Sequence, residues 1–169
     1  MTRLAVALGL LLAAAIAGAT PATAAAWQYH AGKNGYHVAS VETAYALFEI
    51  TCKAGEIEAG YYIDSSDLDS DLWGEDTAVM AVVIDASTTV HWVESDLWDD
   101  DIEASVGFGG RAADDLAHMA SRAARTIAIS FRLKKDGGLG SVRYNESDFS
   151  AAGSAAAIKA MYAACGVRF

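Results

Sequence analysis

The sequence predicts an α+β fold, in which a mostly antiparallel, sandwich-like β-sheet carries two packed helices and is closed by one disulfide. Three observations lead to this fold class. Several segments place apolar residues at every second position, as strands do, and two later segments place them at helical spacing. The two cysteines, Cys52 and Cys165, fall in one segment of each kind. No linker or change of composition divides residues 27–169, which predicts a single domain.

The first 26 residues have the pattern of a secretory signal peptide. Arg3 supplies the positive charge, and residues 4–19 form an apolar run that is shorter than the ~20 residues of a spanning helix. The small residues at 22–26 suit a signal peptidase, with cleavage after residue 24 or 26. We therefore expect residues 1–26 to be removed and residues 27–169 to be periplasmic or secreted, without a transmembrane segment.

The clearest strand signal in the domain is a β-hairpin over residues 45–63. Residues 45–52 alternate, so that one face is entirely apolar and consists of Ala46, Phe48, Ile50 and Cys52. Residues 53–55 have turn composition, and residues 56–63 form the returning strand. This pattern places Cys52 in the core.

Further strands and a first helix are predicted on both sides of the hairpin. Alternation is weaker before the hairpin, at residues 36–41. After it, the patterns predict strands at 80–84 and 88–93 across a turn at 85–87, a helix at 111–124, a strand at 126–133, a glycine-rich turn at 134–140 and a last strand that begins at 141–144 and extends toward 149. The helix has one apolar face, formed by Leu116, Met119, Ala120 and Ala123.

A second helix closes the chain, and we expect Ser154 to cap it. Its apolar stripe consists of Ile158, Met161, Tyr162 and Cys165. Because a pair of cysteines in an exported protein is expected to be oxidised, we predict a Cys52–Cys165 disulfide; two free buried thiols are the alternative. A bridge that closes so long a loop stabilises the fold by roughly 4 to 5 kcal/mol.

The formal net charge of −10 excludes whole classes of partner. Such a surface repels nucleic acid and anionic lipid, and no basic stripe compensates for it. A basic partner or an envelope protein is compatible with this charge. The alternative interpretation is that the negative charge only keeps the protein in solution.

Two acidic segments are the candidate cation sites. Residues 64–76 and 95–101 both contain the sequence Ser-Asp-Leu-Trp and carry the candidate ligands Asp67, Asp69, Asp71, Asp96, Asp99 and Asp101. Carboxylate oxygens at such spacing are ligands for calcium, and an exposed site of this kind would be weak. The first segment is not an EF-hand, since Leu72 replaces the required glycine and Ala78 the required glutamate. Two solvated loops are the alternative interpretation.

No catalytic motif is present in the sequence. The four histidines, at positions 30, 37, 91 and 118, are not accompanied by a G-x-S-x-G nucleophile motif, and the paired cysteines leave no zinc ligand set. The sequence contains no phosphate loop and no dinucleotide fingerprint. These observations favour a protein that is not an enzyme and needs no cofactor, with a small hydrolase assembled by the fold as the alternative.

Two segments resemble a group of small exported proteins of Gram-negative bacteria. They are the strand–cysteine–turn–strand piece at 47–57 and the alanine-rich ending at 149–165. The group includes the invasion-associated locus B proteins and the type VI secretion accessory (VasI-like) proteins. The resemblance implies an accessory or binding protein of the bacterial envelope, and it marks no catalytic residue.

Overall fold

The computed structural model describes residues 25–64, 78–94, 97–99, 103–135 and 138–169. Within these ranges the chain forms two antiparallel sheets, two helices and one disulfide, which confirms the predicted α+β class. In chain order the strands are β1 (Gln28–Ala31), β2 (Tyr36–Glu42), β3 (Ala46–Lys53), β4 (Glu56–Asp64), β5 (Ala78–Ile84), β6 (His91–Glu94), β7 (Leu97–Asp99), β8 (Glu103–Gly109), β9 (Thr126–Lys135), β10 (Gly138–Leu139) and β11 (Tyr144–Ser150). The helices are α1 (Gly110–Arg122) and α2 (Ser154–Cys165).

The first sheet has the strand order β1-β2-β3-β4-β8-β7, and β3 and β4 are the hairpin that alternation predicted. The second sheet is arranged around β9, which pairs with β5 on one side and with β11 and β10 on the other. Strand β6 continues this sheet beyond β5. All the strand pairings among the described residues are antiparallel.

The core lies between the inner faces of the two sheets. Tyr61 of the first sheet contacts Phe131 of the second, with ring centroids 5.2 Å apart, and Phe48 contacts Phe149 at 5.9 Å. All four rings are fully buried. Large aromatic side chains at the centre of a small domain supply much of its buried apolar area, so these contacts hold the sandwich together.

Both helices pack on the inner face of the first sheet, α1 against β4 and α2 against β2. The predicted stripes are buried at Leu116 and Ala120 in α1 and at Ile158, Met161 and Tyr162 in α2. The two helices also contact each other. Among the described residues, the helices and the second sheet thus pack against the inner face of the first sheet.

The predicted disulfide is confirmed. Cys52 near the end of β3 is bonded to Cys165 at the end of α2, with Cα atoms 6.1 Å apart and a sequence separation of 113. Both cysteines lie on the faces that their apolar patterns assigned to the core. The bridge joins the first sheet to the last helix.

The end of α1 differs from the predicted boundary for a clear physical reason. The helix stops at Arg122, although we predicted that it would extend to 124. The carboxylate of Asp85 accepts hydrogen bonds from the backbone N–H groups of Ala124, Arg125 and Thr126 at 2.6–3.0 Å. Because these N–H groups donate to Asp85, they do not donate to the preceding carbonyls of α1, and the helix ends before β9.

Two other boundaries differ from the predictions, and the last strand, which starts within its predicted range, is irregular. Gly153 is the N-cap of α2, and Ser154 is its first residue and makes no capping hydrogen bond. Strand β6 begins at 91 rather than 88, because the hydroxyl of Ser87 accepts the Thr89 N–H and bends the chain first. Strand β11 begins at 144 and contains a bulge, where Asn145 has a φ of 48°.

Residues 1–24, which hold most of the predicted signal peptide, lie outside the described residues. The described fold is anchored near its start by Trp27, whose indole N–H donates to the carbonyl of Ser150 at 3.0 Å. Trp27 also contacts Phe48 edge to face. Within the described part of the chain, no helix is both long and apolar enough to cross a membrane.

Candidate ligand-binding groove

The outer face of the first sheet follows from strand alternation. Residues of β3 that alternate with the buried set, such as Glu49 and Thr51, point away from the core. In β4 the same face carries Glu58, Gly60 and Tyr62. Because neighbouring strands are in register, these side chains form rows across the sheet, with Glu49 opposite Gly60 and Thr51 opposite Glu58.

A groove with a volume of about 780 Å³ lies on this outer face. It is lined by residues of β2, β3, β4 and β8 and by Lys33 and Asn34, which follow β1. Ligand sites for small molecules have volumes of roughly 300–1,000 Å³, so the groove has the size of such a site. For brevity, we call it the outer-face groove.

Glycines form part of the floor of the outer-face groove. Gly107 and Gly109 of β8 lie beside Gly60 and Glu58 of β4. Neither β8 glycine has a positive φ. A Cβ at Gly107 would have its nearest described atom at 3.9 Å, and one at Gly109 at 3.5 Å, which are ordinary contacts. The backbone does not demand glycine at these two positions; the missing side chains leave the groove open.

Gly60 has a different role. A Cβ at this position would lie 2.5 Å from the hydroxyl oxygen of Tyr62. The glycine therefore allows the Tyr62 ring to lie across its own strand. In this position the Tyr62 hydroxyl donates to Oε1 of Glu49 at 3.0 Å, which fixes one carboxylate of the groove.

Tyr36 forms a second aromatic wall. The ammonium nitrogen of Lys53 lies 4.4 Å from the centroid of the Tyr36 ring, within the range of a cation–π contact. The two residues are cross-strand partners on β2 and β3. The ring face at this end of the outer-face groove thus already holds an alkylammonium group of the protein itself.

A smaller cavity of about 310 Å³ lies on the other side of Tyr62. It is lined by Glu42 and Leu47, by Asp64 at the end of β4, and by Tyr45, which is 73 % exposed. Tyr62 lines both cavities. The two cavities therefore follow one another along the same face of the sheet.

The charge of the outer-face groove is unbalanced. Glu49 and Glu58 line it, and Lys33 is the one cationic side chain among the lining residues. Among the described residues, no ion pair joins either glutamate to a lysine or an arginine. The carboxylates are held within reach of a ligand without a basic partner of their own.

The acidic candidates from the sequence fall largely outside this site. Asp67, Asp69, Asp71, Asp96 and Asp101 lie outside the described residues. Asp99 lies in β7, in register with Ala104 of β8, so its backbone belongs to the sheet rather than to a loop as we expected. Within the described ranges, no three histidine, cysteine, aspartate or glutamate side chains are grouped to hold a metal ion. Weak calcium binding by these segments stays a prediction.

The histidines are distributed over the molecule and do not line the outer-face groove. His30 and His91 are exposed on strands, and His37 forms a hydrogen bond with the hydroxyl of Tyr29. The groove lining contains no serine and no cysteine either. Thus the groove itself does not hold a serine or cysteine nucleophile with a histidine base.

His118 belongs to a polar cluster between the two helices. The hydroxyl of Tyr162 donates to Asp114 at 2.5 Å, and the imidazole of His118 lies 3.9 Å from the same carboxylate. Burial, and then the bond to Asp114, raise the pKa of Tyr162. The ring of Phe169 packs on His118 and Tyr162, with centroids at 4.5 and 4.9 Å. This cluster fastens the C-terminus to the helices.

Sequence reasoning missed the outer-face groove, although two signals for it were present. Gly60 interrupts a strand pattern, and glycines at 107 and 109 flank a phenylalanine. Isolated strand glycines mark a close approach of backbone and ligand or of two side chains.

Comparison of the chain with protein-family models, with curated proteins and with solved structures found no match.

Proposed function

We propose that this protein is an exported, non-enzymatic binding module, an accessory protein of the bacterial envelope, whose ligand lies in the outer-face groove. The observation that carries the proposal is the glycine floor. Gly107 stands at a strand position where a side chain would fit and where β-branched residues are favoured, and Gly109 ends the same strand as the N-cap of α1. A solvated sheet face without a ligand has no need of this empty volume.

The chemistry of the lining supports binding rather than covalent catalysis. Tyr36 and Tyr62 offer ring faces, and Glu49 is oriented by a hydrogen bond. Rigid aromatic rings with a few fixed polar groups are typical of recognition sites. The groove lining lacks the histidine and serine that a hydrolase triad requires.

Export is supported by the disulfide, since such bonds persist in oxidising compartments. The signal-peptide pattern of residues 1–26 and the resemblance to small envelope proteins point the same way. The accessory role rests on that resemblance, which residues 47–57 and 149–165 carry.

The proposal is tested by nuclear magnetic resonance of the ¹⁵N-labelled protein with four probes of different chemistry: spermidine, trilysine, maltotriose and tricarballylate. We expect at least one probe to shift the amide signals of residues 58–62 and 107–109 in a saturable way. Shifts confined to other parts of the domain, or no saturable shift with any probe, would contradict the proposal.

A hydrolase is the second candidate, and one observation favours it. Glu49 and Glu58 lie in the same groove, and a pair of carboxylates is the machinery of glycoside hydrolysis. The discriminating assay is release of 4-nitrophenol from a panel of 4-nitrophenyl glycosides. Our proposal expects no release above that of the Glu58→Gln variant; turnover that both Glu49→Gln and Glu58→Gln abolish would establish the hydrolase instead.

A further inference from the structure

We propose that the outer-face groove recognises a small linear molecule that carries alkylammonium groups, of the polyamine class. This inference rests on the proposed function, because it names the ligand chemistry of the same groove. Three features of the groove carry it: the carboxylates, the aromatic walls and their spacing along the sheet.

The carboxylates supply the charge. Glu49 and Glu58 form no ion pair with a lysine or arginine among the described residues, and with Lys33 as the one cation of the lining they leave it net negative. The same two carboxylates would repel an anionic ligand. The outer-face groove therefore favours a cation over an anion.

The aromatic walls distinguish an organic cation from a metal ion. Lys53 places an alkylammonium group over Tyr36, which shows the geometry that this ring offers to such a group. Tyr62, on β4, provides a second ring in the lining of the same groove. A hard metal ion needs several oxygen ligands and gains little from ring faces. An alkylammonium group uses both the carboxylates and the rings.

The spacing of the charges indicates a linear molecule. Glu49 is opposite Gly60, and Glu58 lies two residues from Gly60, so the two glutamates occupy diagonal positions about 7–8 Å apart at the backbone. The adjoining cavity adds Glu42 further along the face. Successive ammonium groups on a short alkyl chain would meet successive carboxylates. The volume of about 780 Å³ suits a small molecule.

The experiment is a titration of the ¹⁵N-labelled protein with spermidine at low ionic strength, in the wild type and in single variants. We expect Glu49→Gln and Glu58→Gln each to weaken the affinity about fivefold, the upper end for an exposed ion pair. Glu56→Gln is the matched control, because Glu56 belongs to the same strand and face but does not line the groove. Its affinity should stay within about twofold of the wild type.

The variant Lys53→Met tests whether spermidine binds at the Tyr36 ring or is attracted only by the overall negative charge of the protein. The variant removes the ammonium group that already lies over Tyr36. If the ring is a cation subsite, Lys53→Met should bind spermidine several-fold more tightly than Lys159→Met in α2, which also removes one ammonium group from a ring, that of Phe169, but outside the groove. Equal effects of the two lysine variants would overturn the inference.

The other probes separate failure of this inference from failure of the proposed function. Groove-centred shifts with maltotriose or tricarballylate but not with spermidine would overturn the cationic ligand and leave the binding module intact. Binding of trilysine without spermidine would replace the small molecule with a basic polypeptide. If Glu56→Gln and Glu49→Gln weaken spermidine binding equally, the binding depends on overall charge and not on the groove, which would overturn the inference. No groove-centred shift with any of the four would remove both proposals.

Discussion

Tyr62 lies across Gly60, so close that the hydroxyl oxygen of its ring would be 2.5 Å from a Cβ at position 60. The two residues are on one strand and share its outer face. The same hydroxyl orients Glu49, so this single contact determines how one carboxylate of the outer-face groove is presented.

The first prediction follows from this contact. Gly60→Ala should push the Tyr62 ring off the strand and break its bond to Glu49, which weakens groove binding. The domain should change in stability by no more than about 1 kcal/mol, because loss of the bond and the gain from removing a strand glycine oppose one another. Thermal unfolding and a probe titration measure the two effects. Tyr62→Phe is the control that removes only the hydroxyl; unchanged probe binding in Gly60→Ala would contradict the assigned role of Tyr62.

The second prediction concerns the disulfide. Reduction, or the double change Cys52→Ala with Cys165→Ala, should lower the free energy of unfolding by about 4 to 5 kcal/mol, because the bridge limits the conformational entropy of the unfolded chain. Urea unfolding with and without reductant measures the change. Alkylation of the unreduced, denatured protein should label no cysteine, since both thiols are bonded. Stoichiometric labelling of both would disprove the bridge.

The third prediction concerns Asp85, whose pKa is lowered by the backbone N–H donors of Ala124, Thr126 and Arg125. A carboxyl group with a lowered pKa in the folded state stabilises the protein above its unfolded value of about 3.9, and this contribution disappears as the pH falls through the folded value. Asp85→Asn should therefore lower the urea midpoint at pH 7.

The difference between wild type and Asp85→Asn should become smaller at pH 3. Asparagine also tolerates the left-handed backbone at this turn, where φ is 53°, so the variant isolates the charge from the turn. An equal difference at both pH values would contradict the role of the carboxylate.

The fourth prediction concerns Tyr61, whose burial raises its pKa to about 12. An acid with a raised pKa in the folded state stabilises the protein below its unfolded value of about 10 and loses this contribution as the pH rises toward the folded value. The wild type should lose stability between pH 10 and 12 faster than Tyr61→Phe does. At pH 7 the variant should be the less stable, because the hydroxyl donates to the carbonyl of Asn145 at 2.7 Å. Parallel stability curves above pH 10 would contradict this.

Much of the fold could be predicted from local patterns. The buried alternation of β3 and the stripe of α2 are strong signals, since each repeats one face over several residues, and together they located both cysteines. Strand β1 gave no such signal, because all four of its residues are exposed at the edge of the sheet. Strand β8 was hidden by its glycines, and β7 by its acidic composition.

The outer-face groove could not be predicted in the same way. Its floor joins β4 to β8, and that pairing of Gly60 with Gly107 depends on the whole sheet and not on either segment alone. The acidic segments 64–76 and 95–101 were predicted as a site because clustered charges can be identified in the sequence alone. A cavity formed by missing side chains is visible only when the neighbouring strands are known.

The proposed ligand site depends most directly on the empty volume above Gly107. Gly107→Thr should fold with at least the stability of the wild type, because a β-branched residue favours a strand and has room there. The matched control is Ser105→Thr, two residues away on the same strand and face and outside the groove lining.

The decisive measurement is the amide-shift titration of the wild type and these two variants with the four probes. We predict that a probe which shifts residues 58–62 and 107–109 in the wild type also does so in Ser105→Thr, and that this response is lost in a folded Gly107→Thr. Binding that survives unchanged in Gly107→Thr would contradict the account, because the ligand would then not occupy the space that the glycine leaves open.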